Sequence, residues 1–237
     1  MRKPSREDKF YCMCGRFTLQ IPPELLAEIF GLLEIPVFPA RYNIAPTQQL
    51  AVIRQSGDGQ NHFSVMRWGL IPSWAKEPSI GNRLINARCE TVAGKPAFRQ
   101  AVRHRRCIVP ASGFYEWQGE GKEKAPLYIR LKDGSPLCFA GLWDRWESPQ
   151  GEAVDSCTIL TTSSNRLIAP IHQRMPVILR RESFPLWLAA ETADPEILEP
   201  LYLPYPADLM EMWPVSPLVN SPRNDSPELL TPYASAK

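Results

Sequence analysis

Between residues 107 and 161 the chain offers five short runs of strand-forming residues, at 107–109, 113–117, 127–131, 137–142 and 155–161, with no long helical pattern between them. That spacing is the strongest constraint in the sequence. Parallel neighbours need a crossover of a dozen or more residues, usually a helix, whereas antiparallel neighbours need only a turn. The spacing argues against a doubly wound parallel sheet. The expected fold is α+β: one domain on an antiparallel, barrel-like sheet with peripheral helices. Leu127, Ile129 and Leu131 alternate with Tyr128, Arg130 and Lys132, the period of a half-buried strand. Upstream, 50–54 and 62–66 read as strands joined through Gly57-Asp58-Gly59, a hairpin signal. A helix is expected over 21–30, opened by Pro22 and Pro23, ended by Gly31, with Leu25, Leu26, Ile29 and Phe30 as its apolar face. Shorter helices are expected at 96–105, 183–190 and 195–201.

Proline outnumbers glycine, 25 to 13, which favours ordered loops with preset φ over floppy ones. With 237 residues and 44% apolar side chains there is chain enough for a proper core. No apolar run approaches the roughly 20 residues of a membrane helix, and residues 1–9 lack the apolar stretch of a secretion signal. A soluble cytoplasmic protein is expected. Residues 1–12 read as a polar appendage, 13–230 as the domain, and the Pro-, Ser- and Asn-rich end from about 221 as fraying, with 231–237 a loose tail. The net charge of +2 hides an asymmetry: 25 basic against 16 acidic residues up to 181, then 2 against 9. A basic first three quarters, with 19 Arg to 8 Lys, permits a polyanionic partner, although solvated surface charge accounts for it equally well.

No dinucleotide fingerprint, P-loop, serine-hydrolase elbow or zinc-protease motif is present. Cys12-Met13-Cys14 is too tight for a zinc pair, and the only histidines are His62, His104 and His172. No metal, nucleotide or organic cofactor is implied. Cys89, Cys107, Cys138 and Cys157 sit singly in apolar stretches and read as buried free thiols.

Four segments put reactive groups where plain structure does not need them: 13–17 (M-C-G-R-F), 86–91 (N-A-R-C-E-T), 112–117 (S-G-F-Y-E-W) and 171–176 (I-H-Q-R-M-P). Glu116 lies among Phe114, Tyr115 and Trp117, a setting that disfavours its charged form. His172 is a natural proton shuttle near neutrality. Each residue has a plainer reading: Cys14 as a small buried thiol, Glu116 as an exposed acid, His172 as a structural imidazole, Asn86 as a turn cap.

Together with R-Y-N-I-A-P-T (41–47), R-W-G-L-I-P-S-W (67–74), F-A-G-L-W-D (139–144), T-I-L-T-T (158–162) and H-Q-R-M-P-V-I-L (172–179), these segments resemble the SRAP family of abasic-site processing proteins, first described as SOS-response-associated peptidases. The matches run in order along nearly the whole chain. The resemblance implies a single domain around a β-barrel-like sheet, binding of single-stranded DNA as a monomer, and covalent capture of abasic sites, with lyase and self-processing activity. It implies Cys14, Asn86, Glu116 and His172 as the catalytic set. It places Arg16, Arg88 and Arg174 at phosphates. Trp68, Trp74 and Met175 offer apolar faces for stacking or wedging bases and read equally well as core residues, while Asn43, Pro46, Thr161 and Thr162 are weaker candidates for backbone or sugar contacts.

The chemistry fits the residue types. An opened abasic sugar is an aldehyde, and an amine attacks it to give a Schiff base. An N-terminal Cys also carries a thiol on the next carbon, which can close a thiazolidine ring. Its α-amine, with a pKa of about 7.7–8.0, is roughly one-tenth free at neutral pH, far more than a lysine amine. One departure matters: the M-C-G run begins at residue 13, so a peptide bond before Cys14 would remove the amine. Translation starting at Met13, followed by loss of that Met, is the favoured expectation; later removal of residues 1–12 is the other.

Overall fold

The five runs pair as their spacing requires, and the last of them organises the rest. A computed structural model describes residues 15–119, 124–189 and 194–234. Among these, the strands are β1 (Phe17–Leu19), β2 (Arg41–Ile44), β3 (Gln49–Gln55), β4 (Asn61–Trp68), β5 (Asn86–Arg88), β6 (Arg106–Ala111), β7 (Gly113–Gln118), β8 (Ala125–Leu131), β9 (Leu137–Glu147), β10 (Ala153–Ser163), β11 (Arg174–Pro176) and β12 (Met210–Pro214). The α-helices are α1 (Pro23–Phe30), α2 (Ala101–His104) and α3 (Phe184–Leu188).

β10 is paired on both edges. One edge carries β9 and then β11, both antiparallel; the other carries β4 and then β5, both parallel. From β4 the ladder runs through β3 and β6 to β9, and so back to β10, closing a five-stranded barrel. The expected α+β fold is the one observed. The two parallel pairings are short, and the 69–85 loop with its 3-10 turn carries the chain from β4 to β5 along the same edge of β10. A second, antiparallel sheet has the order β12-β8-β7-β1-β2. The sheets join where β6 runs into β7, at Ser112, whose N–H donates to the Thr18 carbonyl at 2.8 Å.

Side-chain alternation along the second sheet builds two apolar layers. Phe17 and Phe114 face the barrel, Phe17 edge-on to Trp68 and Phe139 at centroid distances of 5.1 and 5.9 Å. On the opposite face Tyr115 and Tyr128 pack with Val219 and Leu229 from the C-terminal segment. Each such buried ring stabilises the fold by about 1.5–3 kcal/mol.

Gly113 makes this layering possible. A Cβ there would meet the Tyr128 Cζ and Oη atoms at 2.3 Å. The Thr18 hydroxyl donates to the Gly113 carbonyl at 3.3 Å and lies 3.0 Å from the Tyr128 hydroxyl, which is thereby left as the donor of that pair. Gly113→Ala is expected to force the tyrosine aside and lower stability by about 1–3 kcal/mol, read as a fall in midpoint on thermal melting.

Helix limits differ from expectation for identifiable reasons. α1 ends at Gly31, as expected, with φ at 61° in the left-handed region. The helix expected over 96–105 is one turn, α2. Arg106 leaves it to begin β6, and its guanidinium donates to the Val102 and Arg103 carbonyls, both at 2.7 Å, capping the helix end. The helix expected at 183–190 is α3 with a preceding 3-10 turn, and that at 195–201 is a 3-10 helix (Pro195–Tyr202) containing Pro200. Residues 221–225 are tied down: Asp225 pairs with Arg41, and the Ser221 and Asn224 carbonyls accept from Asn43; the last three residues of the expected tail lie outside the described residues.

Candidate active site

One end of β10 gathers half of the candidate residues: Asn86, Arg88, Thr161, His172, Arg174 and Met175. Asn86, Ala87 and Arg88 lie in parallel register with Ile159, Leu160 and Thr161, and Arg174 lies opposite Ser163. Alternation buries Ala87 and exposes Arg88. The chain then tightens into a 3-10 turn (Cys89–Thr91), which brings Glu90 to Arg174. The Arg174 guanidinium forks onto that carboxylate, Nη2 to Oε2 at 2.8 Å and Nη1 to Oε1, while Nη2 also donates to the Thr161 carbonyl at 2.6 Å. The hydrogen bonds from Arg174 hold Glu90 below the usual carboxylate range. Burial works against the charge on Arg174, and the Glu90 carboxylate more than offsets it.

His172 enters from the turn before β11. Asn165 starts that turn, its Oδ1 accepting from the N–H groups of Leu167 and Ile168, both at 3.1 Å. The Ile168 carbonyl then accepts from the His172 N–H at 3.0 Å. Nδ1 of His172 accepts from the Arg174 N–H at 3.1 Å, so the neutral ring carries its proton on Nε2. Burial lowers the imidazole below its ordinary 6.5, and the positive charges of Lys124 and Arg174 add to the effect. His172 is therefore neutral at pH 7, a base rather than an acid. Lys124 sits where β8 begins, next to the Gln118–Ala125 pair, so its effect ties His172 to the β7–β8 hairpin.

That hairpin carries Glu116, opposite Leu127 and only 4% exposed. It lies on the barrel-facing side with Phe114, two residues away. β1 pairs with β7 through Phe17–Phe114 and Thr18–Gly113, and the Tyr115 N–H donates to the Arg16 carbonyl at 3.0 Å. The same register carried back sets Gly15 across from Glu116. Cys14 lies outside the described residues.

Arg16 and Asn43 face the C-terminal segment. Asn43 is fully buried, and its amide donates to the carbonyls of Val219, Ser221 and Asn224 at 3.2, 3.0 and 2.7 Å. Nη1 of Arg16 donates to Asn43 Oδ1 and to the Val219 carbonyl, at 2.8 and 2.7 Å, with its guanidinium 5.7 Å from the Trp117 ring centroid. The Trp117 indole N–H donates to Asn220 Oδ1 at 2.7 Å. Residues 217–225 thus clamp the strand that leads to Gly15. The sequence reading missed this segment because its Asn, Ser and Pro content resembles a loose end. The one available signal was the Asp225 charge matching Arg41.

The other binding candidates divide. Trp68 is fully buried, its indole N–H on the Ile85 carbonyl at 2.9 Å, and Met175 is buried in the same core. Neither ring nor thioether offers a free face, so base stacking on them does not fit. Thr161 is buried with its hydroxyl on the Ala87 carbonyl at 3.3 Å, and Thr162 is buried beside it. Trp74 is the one exposed tryptophan among the described residues, at 60%. Cys89, Cys107, Cys138 and Cys157 are buried free thiols, as expected. Burial pushes all four thiols up, Cys138 to about 12, so none is a ready thiolate. Among the described residues no cluster of three or more His, Cys, Asp or Glu could hold a metal ion, and no helix is long and apolar enough to cross a membrane.

Comparison with known proteins places this arrangement. Abasic site processing protein YoqW of Bacillus subtilis (strain 168) is 46% identical over 222 residues, which cover 92% of this chain and 99% of that protein. Abasic site processing protein HMCES of Mus musculus is 33% identical over 271 residues, covering 93% of this chain and 76% of the mouse protein. An X-ray structure of a protein from Bacteroides thetaiotaomicron superposes with a TM-score of 0.83 at 28% identity, over 93% of this chain and all of that one. The family model described as SOS response associated peptidase (SRAP) matches residues 13–222. The chain belongs to the SRAP family, among relatives that are abasic site processing proteins.

Proposed function

We propose that the protein binds single-stranded DNA at abasic sites and captures the opened sugar covalently through Cys14 as its N-terminal residue, shielding the lesion. The observation that carries this reading is the β1–β7 register, which leads the chain to Gly15 opposite the buried Glu116. The α-amine of Cys14 attacks the sugar aldehyde; Glu116 supplies the proton on which water leaves, giving the Schiff base. The Cys14 sulfur then adds to the imine carbon, and the thiol proton ends on nitrogen, closing the thiazolidine ring. Neutral His172 takes and returns protons during these steps. Asn86 orients the sugar or the amine, and Arg88 and Arg174 hold the flanking phosphates. The same Schiff base permits strand cleavage, a lyase side reaction. Residues 1–13 are absent from the active form, through initiation at Met13 and loss of that Met or through later removal of the whole segment, the latter a self-processing step.

The test is to incubate the protein whose chain begins at Cys14 with single-stranded DNA bearing one abasic site, beside an intact strand. A heat-stable, slower band with the abasic strand alone is the expected result, with prior binding that weakens as salt rises. Hydrolysis of peptides in trans without capture would point instead to a thiol peptidase. Equal, purely reversible binding of both strands would point to a DNA-binding module.

A further inference from the structure

We infer that Asn43 of β2 is a positioning residue for the attacking amine, which it fixes through Arg16 and the C-terminal segment. This rests on the capture reading above. Asn43 is fully buried, and its side chain uses both polar atoms inside the protein. Its Oδ1 accepts from Arg16 Nη1 at 2.8 Å, and its amide donates to the Val219, Ser221 and Asn224 carbonyls. So enclosed, it does not reach a strand, and the expected contact with backbone or sugar does not fit. Arg16 shows what the arrangement is for. Its half-buried guanidinium lies on neutral oxygens, Asn43 Oδ1 and the Val219 carbonyl, and among the described residues no carboxylate pairs with it. Burial pulls it below the usual arginine range. A charge held that way costs desolvation free energy that no ion pair offsets, so stability does not account for it.

The arrangement makes Arg16 an anchor. Its carbonyl accepts from the Tyr115 N–H of β7 at 3.0 Å, while its side chain is held from the other direction by Asn43 and Val219. Only Gly15, which by itself restrains little, separates that anchor from Cys14. Two residues span at most about 7 Å, so a fixed Arg16 confines the amine to the surroundings of Glu116, which faces Gly15 in register. Confinement of reacting groups contributes strongly to rate, and a misplacement of about 1 Å can cost about 10²-fold. The segment that completes the anchor is itself fastened. Val219 packs on Tyr115 and Tyr128, Asn220 accepts from the Trp117 indole, and Asp225 pairs with Arg41 and accepts from the Tyr42 N–H. The Tyr115 hydroxyl donates to the Tyr42 carbonyl at 2.8 Å, which ties β7 to β2 directly. Asn43 joins Arg16, β2 and this segment at one buried point.

The experiment uses the chain that begins at Cys14, as wild type, Asn43→Ala and Asp225→Ala, each below its melting midpoint. The single-turnover capture rate is measured at saturating abasic single-stranded DNA. Affinity is measured on a strand with a non-reactive abasic analogue, and thiazolidine formation with free formaldehyde is followed by intact mass. Asn43→Ala is expected to slow capture about 10–10²-fold, with analogue affinity within about twofold of the wild type. Its formaldehyde rate should not change, because a small free aldehyde needs no alignment. Hydrogen exchange at the Tyr115 N–H should quicken, reporting a loosened Arg16 carbonyl. Asp225→Ala detaches the segment from β2 without touching the Asn43 amide. It should slow capture in the same sense by about threefold or more, and carries the test should Asn43→Ala fold poorly. Wild-type capture rates in both variants, or an analogue affinity that falls as far as the capture rate, would overturn this proposal alone. A wild type that reacts with formaldehyde and forms no adduct on an abasic strand would sink the capture reading, and this one with it.

Discussion

A Cys14→Ala protein that begins at residue 14 is expected to bind an abasic strand about as well as the parent and to leave no heat-stable adduct. Alanine keeps the α-amine, so its Schiff base still forms, but water reverses it because no sulfur closes the ring. A hydride reductant added during incubation should therefore rescue an adduct for Cys14→Ala by reducing the imine to a secondary amine. A chain that keeps residues 1–13 has an amide nitrogen at Cys14 and should yield no adduct there with or without reductant. The three proteins separate the nitrogen's role from the sulfur's on a denaturing gel. The buried cysteines should not substitute, since burial raises each thiol and leaves it without thiolate character. An adduct of undiminished yield in Cys14→Ala without reductant would remove this residue from the mechanism.

The strand framework was readable from periodicity because burial on one face enforces alternation, as in β8, where Leu127, Ile129 and Leu131 face inward. What escaped were elements made by non-local partners. β5 and β11 are three residues each, with no period to detect, and exist because β10 has open edges beside them. β12 follows a proline-rich stretch and is a strand because β8 offers five partners from Leu127 to Leu131. The same limit applies to the site. Trp68 and Trp74 lie in one motif with indistinguishable local signals, yet one ring is packed against Phe17 and the other faces water. Glu90 was quoted within its motif without a role, because only the fold brings it to Arg174, 84 residues on. Burial of Glu116 among apolar neighbours followed more directly, since strand alternation sets it on the Phe114 face.

That burial gives Glu116→Gln the second large expected effect. The amide preserves the size of the side chain and its capacity to accept a hydrogen bond, so β7 and the Leu127 pairing should remain intact. It removes a transferable proton at the step where water must leave the carbinolamine. Loss of a positioned general acid typically costs about 10²–10⁴ in rate, so single-turnover capture should slow by at least about 10²-fold while reversible binding is unchanged. The pH profile carries a separate signature. Below about 7.7 the rate should fall tenfold per unit as the Cys14 amine protonates. His172 is held below 6.5, so its protonation should steepen that fall only at lower pH, and His172→Gln should be slower overall and lose the steeper limb. An unchanged single-turnover rate in Glu116→Gln would assign the proton to another group. A profile already steeper than tenfold per unit above pH 6.5 would contradict the neutral imidazole that the Arg174 N–H fixes.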